Sequence, residues 1–220
     1  MSKPVNYYKY TKKSKVHNPH YKTHLIEIPA RILCIGASGA GKTMWLLDFI
    51  HQMNDTFEEI IICLRSKHEP LYELLEEKCQ GGIKFFENTI PQLDDFKKEP
   101  AQRLIVFDDL VISKNLQNTI ADYYIRGRKF QFTCVYISQS FYAIPKLIRQ
   151  QASMLILKKI GSDKDLKMII REYSLGLDLD ELFKLYKQCT QTKTDFLMLD
   201  LNNDEYKYRF NYTPMRTTHE

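Results

Sequence analysis

Apolar residues in this chain gather into short continuous runs, separated by longer segments in which they recur every three or four positions. A run without polar alternation is typical of a strand that is covered on both faces, as in a parallel sheet flanked by helices. Six runs predict strands of this kind, at 31–35, 59–64, 83–87, 103–107, 132–137 and 154–157.

The segments between these runs have helical spacing and carry start and stop signals for helices. Pro70 opens one of them and Gly127 closes another, while Ser162 and Asp165 form a capping-box pattern. The predicted helices are 42–53, 70–78, 113–126, 144–151, 162–173 and a last one that begins at Asp178 or Asp180 and ends near 188, with one helical turn at 92–96.

Residues 195–201 and 205–212 predict an antiparallel hairpin at the end of the chain. In its second strand, aromatic residues at 206, 208, 210 and 212 alternate with Lys207, Arg209 and Asn211. This period of two predicts a half-exposed strand, whose basic face either contacts nucleic acid or is simply solvated; we expect the solvated face.

Strands that alternate with helices predict an α/β fold with a mainly parallel central sheet, helices on both faces and a C-terminal β-hairpin.

The first strand is followed by Gly36, Ala37, Ser38, Gly39, Ala40, Gly41, Lys42 and Thr43, which fit G-x-x-x-x-G-K-[ST] at every fixed position. This Walker A pattern predicts a phosphate-binding loop, because its glycines let backbone N–H groups approach a polyphosphate closely. The predicted nucleotide-binding residues are these eight and Met44.

The side chains of this loop have distinct predicted roles. Lys42 is expected to reach the β- and γ-phosphates of ATP, and Thr43 to place its hydroxyl on Mg²⁺. The strand at 103–107 ends in Asp108 and Asp109, a Walker B pattern in which the first carboxylate holds Mg²⁺ and the second orients or deprotonates the attacking water. A strand that runs into an ordinary acidic turn would look the same in isolation, but both Walker signals require one Mg²⁺ site.

Three further polar positions are candidates for catalysis. Arg126 and Arg128 flank the end of the predicted helix at Gly127, where an arginine can reach the γ-phosphate held by a neighbouring subunit or can simply be solvated. Gln139 follows the strand at 132–137, where it can lie between the γ-phosphate and water or form an ordinary turn.

The order of the strands also predicts an insertion. The strand that ends at Gln139 follows the Asp108 strand, as in P-loop ATPases that carry an additional strand between the two Walker strands (the ASCE type). A small GTPase would need an Asn-Lys-x-Asp segment, which the sequence lacks, and a nucleoside kinase would need lid arginines and an acceptor pocket.

Charge is distributed unevenly along the 220 residues. The net charge is +5, yet residues 1–24 carry six lysines and no acidic residue, which leaves 26 basic against 27 acidic residues in the remainder. We therefore expect a basic, flexible arm at 1–24 and one ATPase domain at 25–220. Tyrosines and histidines interleave with these lysines, so the arm either contacts nucleic acid or is a solvated, partner-binding tail.

Composition excludes several classes of protein. The five cysteines form no C-x-x-C pair and predict neither disulfides nor a zinc site, and no apolar run approaches the roughly 20 residues of a membrane span. The N-terminus lacks the apolar region of a secretory signal, so we expect a protein that is neither secreted nor membrane-embedded.

The segments 36–43, 104–109, 127–129, 135–141 and 145–149 together resemble the poxvirus-type DNA-packaging ATPases of the FtsK–HerA superfamily, which include the packaging ATPases of giant DNA viruses and virophages. The resemblance covers about residues 28 to 160. Its discriminating part is the succession Gly-Arg, Ser-Gln and Pro-x-x-x-Arg, since the Walker motifs are generic. The chain departs from the family at Lys129, where His is frequent, and after Arg149, where Asn is usual.

This resemblance implies roles and partners that the residue patterns alone do not predict. It implies that Arg128 is a trans-acting arginine finger, Gln139 a polar sensor and Arg149 a second arginine near the subunit boundary. It also implies a homo-oligomeric ring, a pentamer or hexamer, that hydrolyses ATP and drives double-stranded DNA into a preformed capsid with capsid vertex or portal proteins as partners. The expected location is the cytoplasmic virus factory of an infected cell, or the virion. The alternatives are another DNA-pumping or helicase-like ATPase of this superfamily and an ATP-dependent scaffold that moves no DNA.

Overall fold

The computed structural model describes residues 16–79, 81–96, 101–108, 110, 114–173 and 176–215. Its strands are β1 (Arg31–Ile35), β2 (Glu59–Leu64), β3 (Ile83–Glu87), β4 (Arg103–Asp108), β5 (Phe132–Ser138), β6 (Met154–Leu157), β7 (Leu197–Asp200), β8 (Tyr208–Phe210) and β9 (Thr213–Pro214). Its α-helices are α1 (Tyr21–His24), α2 (Lys42–Gln52), α3 (Pro70–Cys79), α4 (Lys114–Arg126), α5 (Lys146–Arg149), α6 (Asp163–Glu172) and α7 (Leu179–Cys189). Short 3₁₀ turns at Leu93–Asp95 and Gly127–Phe130 complete these elements.

Within the described part of the chain, all nine strands form one sheet in the order β3-β2-β4-β5-β1-β6-β7-β8-β9. The first six strands in this order are parallel, and β7, β8 and β9 add antiparallel pairs at one edge. Strand β5 lies between β4 and β1, so the predicted insertion between the two Walker strands is confirmed. The predicted C-terminal hairpin is confirmed by the pairing of β7 with β8.

Two apolar cores cover the two faces of this sheet. Leu33 and Ile35 of β1 belong to one core and Ile32 and Cys34 to the other, because successive side chains of a strand point to opposite faces. Helices α2 and α3 pack on the second face, whereas α4 to α7 contribute to the first. Each fully buried aliphatic side chain contributes about 1.5–3 kcal/mol of transfer free energy, so the double-sided sheet is the main source of stability.

Helix caps differ from prediction in one detail. Ser162 caps α6 by accepting a hydrogen bond from Lys164 N–H, but Asp165 does not complete the predicted capping box, since its carboxylate is turned toward the 140–142 segment. Asp178 caps α7 and forms a complete box with Glu181.

The expected half-exposed basic face of the second hairpin strand is wrong for Arg209. This side chain pairs with Asp200 at 2.7 Å and is 0% exposed, because its guanidinium lies against α1, where it donates to the carbonyl of His24. Aromatic burial is also uneven along the strand, with Tyr208 buried and Phe210 exposed.

The described part of the expected arm contacts the domain. His17 and Gln102 exchange two hydrogen bonds, and the Asn18 amide donates to the carbonyl of Ile26. His24 of α1 is fully buried. Residues 1–15 of the arm lie outside the described residues, so its division from the domain stays a prediction.

Two further observations concern predictions made from composition. All five cysteines are free, and four of them are buried. Among the described residues, no helix is both long and apolar enough to cross a bilayer.

Candidate phosphate-binding site

The loop between β1 and α2 has the backbone of a phosphate cradle. Gly39 and Gly41 adopt φ values of +71° and +83°, which side-chain-bearing residues rarely tolerate. A Cβ at Gly41 would lie 2.3 Å from the carbonyl oxygen of Lys193, and one at Gly36 would lie 2.6 Å from Cβ of Lys158. Conformation therefore favours glycine at Gly39, close approach requires it at Gly36, and both reasons apply at Gly41.

The amino end of α2 supplies donors for an anion. Trp45 N–H makes the first helical hydrogen bond, to the carbonyl of Gly41, so the N–H groups of Lys42, Thr43 and Met44 have no partner inside the helix. The helix dipole adds positive potential at the same place. The Lys42 ammonium donates to the carbonyls of Gly36 and Ala37, both at 2.9 Å, and is thereby held over the loop.

Parallel strands bring the predicted site residues to one edge of the sheet. Asp108 ends β4 and Gln139 follows β5, and both strands end beside the loop that follows β1. A cavity of about 200 Å³ at this edge is lined by Ser38, Gly39, Lys42, Thr43, Glu69, Asp108, Ile137, Ser138 and Gln139. Four predicted functional side chains therefore share one cavity: Lys42, Thr43, Asp108 and Gln139. Asp109 lies outside the described residues, and its water-activating role stays a prediction.

Two residues of this cavity region were missed by the sequence analysis. The hydroxyl of Tyr72, on α3, donates to a carboxylate oxygen of Asp108 and also contacts the Thr43 side chain. Burial and the neighbouring Asp108 raise the pKa of the Tyr72 phenol, so it stays a protonated donor. Glu69, directly before α3, adds a second described carboxylate to the lining.

The oxygen ligands in this cavity fit Mg²⁺. The Thr43 hydroxyl and the Asp108 carboxylate are brought together through Tyr72, and Mg²⁺ is usually held in proteins by one or two such groups together with substrate phosphates. Within the described ranges, no cluster of three or more His, Cys, Asp or Glu residues could hold a metal by itself. A metal here would thus depend on a bound nucleotide for its remaining ligands.

A buried lysine supports the loop from the other side. Lys158, directly after β6, is 0% exposed and donates to the carbonyl of Lys193 at 2.7 Å. Burial lowers the pKa of its ammonium. Lys158 holds the segment around Lys193 against Gly41 and so shapes the phosphate loop. No sequence motif predicts this role.

The two arginines near Gly127 have different surroundings. Arg126 is held within the subunit by Asp94 at 2.5 Å and Asp122 at 2.8 Å. Arg128 is exposed and lines a hollow with Glu27, Arg31 and Asp200 at the edge where β1 and β5 begin. This edge is opposite to the phosphate loop, since the strands are parallel.

Arg149 does not occupy the exposed position expected of a residue at a subunit boundary. It is 7% exposed and pairs with Glu172 of α6 at 3.0 Å. Its guanidinium also donates to the carbonyl of Phe141 and lies over the ring of that residue. Its charge is neutralised inside the subunit, and the role near a subunit boundary that the resemblance implies for Arg149 stays a prediction.

This chain is similar to several solved structures, but not to any family model or curated sequence. No protein-family model matches the chain, and no curated protein sequence is significantly similar to it. The genome packaging NTPase B204 of Sulfolobus turreted icosahedral virus 2, solved with AMPPCP, aligns over 86% of this chain and 99% of its own, with 15% identity and a TM-score of 0.58.

Two other solved structures are similar to the same extent. The DNA-packaging ATPase B204 of Sulfolobus turreted icosahedral virus aligns over 87% of this chain and 100% of its own, with 12% identity and a TM-score of 0.54. The cytoplasmic domain of the type VII secretion ATPase EccC of Thermomonospora curvata aligns over 87% of this chain but 27% of its own, with 14% identity and a TM-score of 0.57. At these identities the likeness concerns the fold, and the chain has the P-loop ATPase fold of this group, with an additional strand between the Walker strands.

Proposed function

We propose that this chain is an ATPase whose hydrolysis drives double-stranded DNA through a homo-oligomeric ring during viral genome packaging. The observation that carries the proposal is the convergence of Lys42, Thr43, Asp108 and Gln139 on one cavity beside the phosphate loop. The fold is shared with packaging NTPases, one of them solved with an ATP analogue, which supports the choice of ATP as substrate.

The chain's own residues have separable tasks in ATP hydrolysis. The Lys42 ammonium exchanges its two carbonyl partners for phosphate oxygens, and the free N–H groups of α2 hold the same anion. When bound, Mg²⁺ would neutralise charge on the β- and γ-phosphates, with Thr43 and Asp108 as its protein ligands. Gln139 orients the attacking water, and Asp109 accepts its proton as predicted from the Walker B pattern.

Completion of the site requires a second subunit in this proposal. Arg126 is committed to two carboxylates, whereas Arg128 is exposed at the opposite edge of the sheet. An arginine in that position can stabilise the developing charge on phosphate only in a neighbouring subunit. The proposal includes a homo-oligomeric ring, with a capsid vertex or portal protein as its partner in an infected cell.

A second candidate function is transport of a polypeptide. It is favoured by the fold shared with the secretion ATPase EccC. The TM-score of EccC against this chain is 0.57, and those of the two packaging NTPases are 0.58 and 0.54. DNA dependence of ATP hydrolysis separates the two candidates, since a polypeptide pump has no reason to respond to duplex DNA.

The test is steady-state ATP hydrolysis by the full chain with and without duplex DNA, across a series of protein concentrations, with Lys42→Ala as the blank. We expect stimulation by DNA and a rate per subunit that rises with concentration. A rate per subunit that ignores both DNA and concentration would instead indicate a self-contained nucleotide enzyme or a scaffold, and the motor proposal would fail.

A further inference from the structure

A second, larger depression adjoins the phosphate cavity. This α6 groove has a volume of about 640 Å³ and lies between the turn at 139–142 and helix α6. Its lining comprises Gln139, Ser140, Tyr142, Gly161, Ser162, Lys164, Asp165, Lys167, Met168 and Arg171. Gln139 lines both the phosphate cavity and the α6 groove, so the two spaces meet at the candidate sensor.

The α6 groove is strongly basic. Lys164, Lys167 and Arg171 are exposed and follow one another at helical spacing along α6. Within the described part of the chain, none of the three forms an ion pair with an acidic side chain. The only carboxylate in the lining, Asp165, is 4% exposed and already accepts two hydrogen bonds. The lining therefore carries three cations against one carboxylate.

An exposed aromatic ring completes the rim. Tyr142 is 77% exposed, an unusual position for so large an apolar surface in water. Cations that neutralise phosphates are the usual composition of a surface for duplex DNA, and a ring at the rim can pack against a sugar of the backbone.

The turn at 139–142 is fastened to α6 by side chains. The hydroxyl of Ser140 and the N–H of Tyr142 both donate to one carboxylate oxygen of Asp165, at 3.0 and 3.1 Å. Ser138 Oγ also donates to the carbonyl of Ser140 and accepts from its N–H, which fixes the shape of the turn around Gln139. A displacement of α6 would therefore also displace the turn that carries Gln139, the residue proposed to lie beside the γ-phosphate.

A second fastening lies at the other end of α6. Glu172 pairs with Arg149, whose guanidinium also donates to the carbonyl of Phe141. The hydroxyl of Tyr173 donates to the carbonyl of Arg149 at 2.7 Å, and its ring packs against Phe141. Helix α6 and the segment 139–149 are thus joined at both ends and form one mechanical unit.

We propose that the α6 groove holds the sugar-phosphate backbone of duplex DNA, and that the Asp165 contacts couple its occupancy to the position of Gln139. This inference rests on the proposed function, since it gives the translocated polymer a docking surface on each subunit. It also gives a physical route by which DNA changes the rate of hydrolysis, because Asp165 joins the basic helix to the sensor turn.

The docking surface is tested by charge removal with a matched control. Lys164→Ala/Lys167→Ala removes two groove cations, and Lys184→Ala/Lys187→Ala removes two exposed lysines with the same spacing from α7. Binding of the full chain to a fluorescent duplex is measured by anisotropy at several salt concentrations. We expect the groove variant to bind at least about tenfold more weakly, with a log–log salt slope smaller by about two, and the control to bind as the native chain does.

The possible results separate this inference from the proposed function. A native chain that binds no duplex overturns both. Native DNA binding that is equally strong in both double variants overturns the α6 groove alone and leaves the motor intact. A groove variant that keeps its DNA affinity but has a smaller mass by light scattering would identify the groove as a subunit contact, and the inference would again be wrong.

The coupling is tested by Ser140→Ala, which removes one of the two donors to Asp165, and by the stronger Asp165→Ala. For both variants we expect DNA affinity within about threefold of native, the stimulation of ATP hydrolysis by DNA reduced at least by half, and unfolding that remains cooperative. Should Asp165→Ala fail to fold, Ser140→Ala decides alone. Stimulation that is unchanged in Ser140→Ala would overturn the coupling.

Discussion

Tyr72 contacts both predicted Mg²⁺ ligands from outside the Walker motifs. Its hydroxyl contacts both Asp108 and Thr43, although it reaches them from α3, and its side chain is 1% exposed. A buried phenol that donates to a carboxylate fixes the orientation of that carboxylate. Tyr72 is therefore a positioning residue for Asp108.

Loss of this hydroxyl should be seen first in the metal dependence of the reaction. For Tyr72→Phe we expect the Mg²⁺ concentration for half-maximal ATP hydrolysis to rise about tenfold, within the range for residues that support metal ligands. Nucleotide binding can be followed independently through Trp45, the single tryptophan of the chain, which lies in the first turn of α2. Tyr123→Phe is the control, since this buried hydroxyl donates to the carbonyl of Pro91, away from the cavity. An unchanged Mg²⁺ requirement in Tyr72→Phe would exclude the positioning role.

His24 gives the protein a dependence on pH that is unrelated to the phosphate site. Burial, followed by the charges of His20 and Arg209, lowers the pKa of His24 to about 4 from an ordinary value of 6.5. Its Nδ1 accepts a hydrogen bond from Ile26 N–H, which only the unprotonated ring nitrogen can do. Because the folded-state pKa is depressed, the unfolded chain binds the proton first as pH falls, and stability declines between about pH 6.5 and pH 4.

The size of this effect follows from the shift. Between about pH 7 and pH 5 the free energy of unfolding should fall by about 2 kcal/mol through His24 alone. In His24→Asn, whose amide oxygen can accept the same N–H, that part of the slope should vanish. Urea unfolding of both proteins at the two pH values measures it. Equal slopes for native and variant would show that His24 does not carry the effect.

The C-terminal hairpin is connected to α1 through one buried ion pair. Arg209 of β8 donates to Asp200 of β7 at 2.7 Å and to the carbonyl of His24 at 3.2 Å. Burial raises the pKa of Asp200 and lowers that of Arg209, so desolvation offsets much of the attraction between them. The pair joins β7 to β8, and the hydrogen bond from Arg209 to the carbonyl of His24 joins the hairpin to α1.

Breaking the pair should cost far more than replacing it. Asp200→Asn leaves the Arg209 charge buried beside a neutral partner, and we expect the free energy of unfolding to fall by about 3–5 kcal/mol. The double substitution Asp200→Leu/Arg209→Met removes both charges, and at least half of this loss should be recovered. Urea unfolding of the two variants measures the difference. A double variant less stable than Asp200→Asn would show that the pair does supply net stability.

Elements were predictable from the sequence where a local pattern determined them. The apolar runs placed β1 to β6, and the glycines and lysine of the phosphate loop placed the first half of the site. Tyr72 and Glu69 could not be found in this way, because helical spacing does not reveal which turn of α3 faces the end of a neighbouring strand. Arg209 was misjudged because alternation reports the two faces of a strand but not what covers them, here α1.

In the whole molecule, the phosphate cavity and Arg128 lie at opposite ends of the parallel strands. Strand β5 runs from the turn that carries Arg128 to the turn that carries Gln139, and its seven residues span roughly 20 Å. Arg128 therefore cannot reach the phosphate cavity of its own subunit. If it is the finger, every active site is shared between two subunits, with phosphate binding on one and Arg128 on the other.

Mixed assemblies test this sharing directly. Lys42→Ala subunits lose phosphate binding but still offer Arg128, whereas Arg128→Ala subunits bind ATP but offer no finger. Each variant alone should be inactive, and an equimolar mixture should recover up to about one quarter of the native rate, since one interface in four then pairs an intact phosphate site with an intact arginine. Arg126→Ala serves as the control and should stay near native, because Asp94 and Asp122 already occupy its guanidinium. A mixture no more active than its components would mean that Arg128 does not complete the phosphate site of a neighbouring subunit.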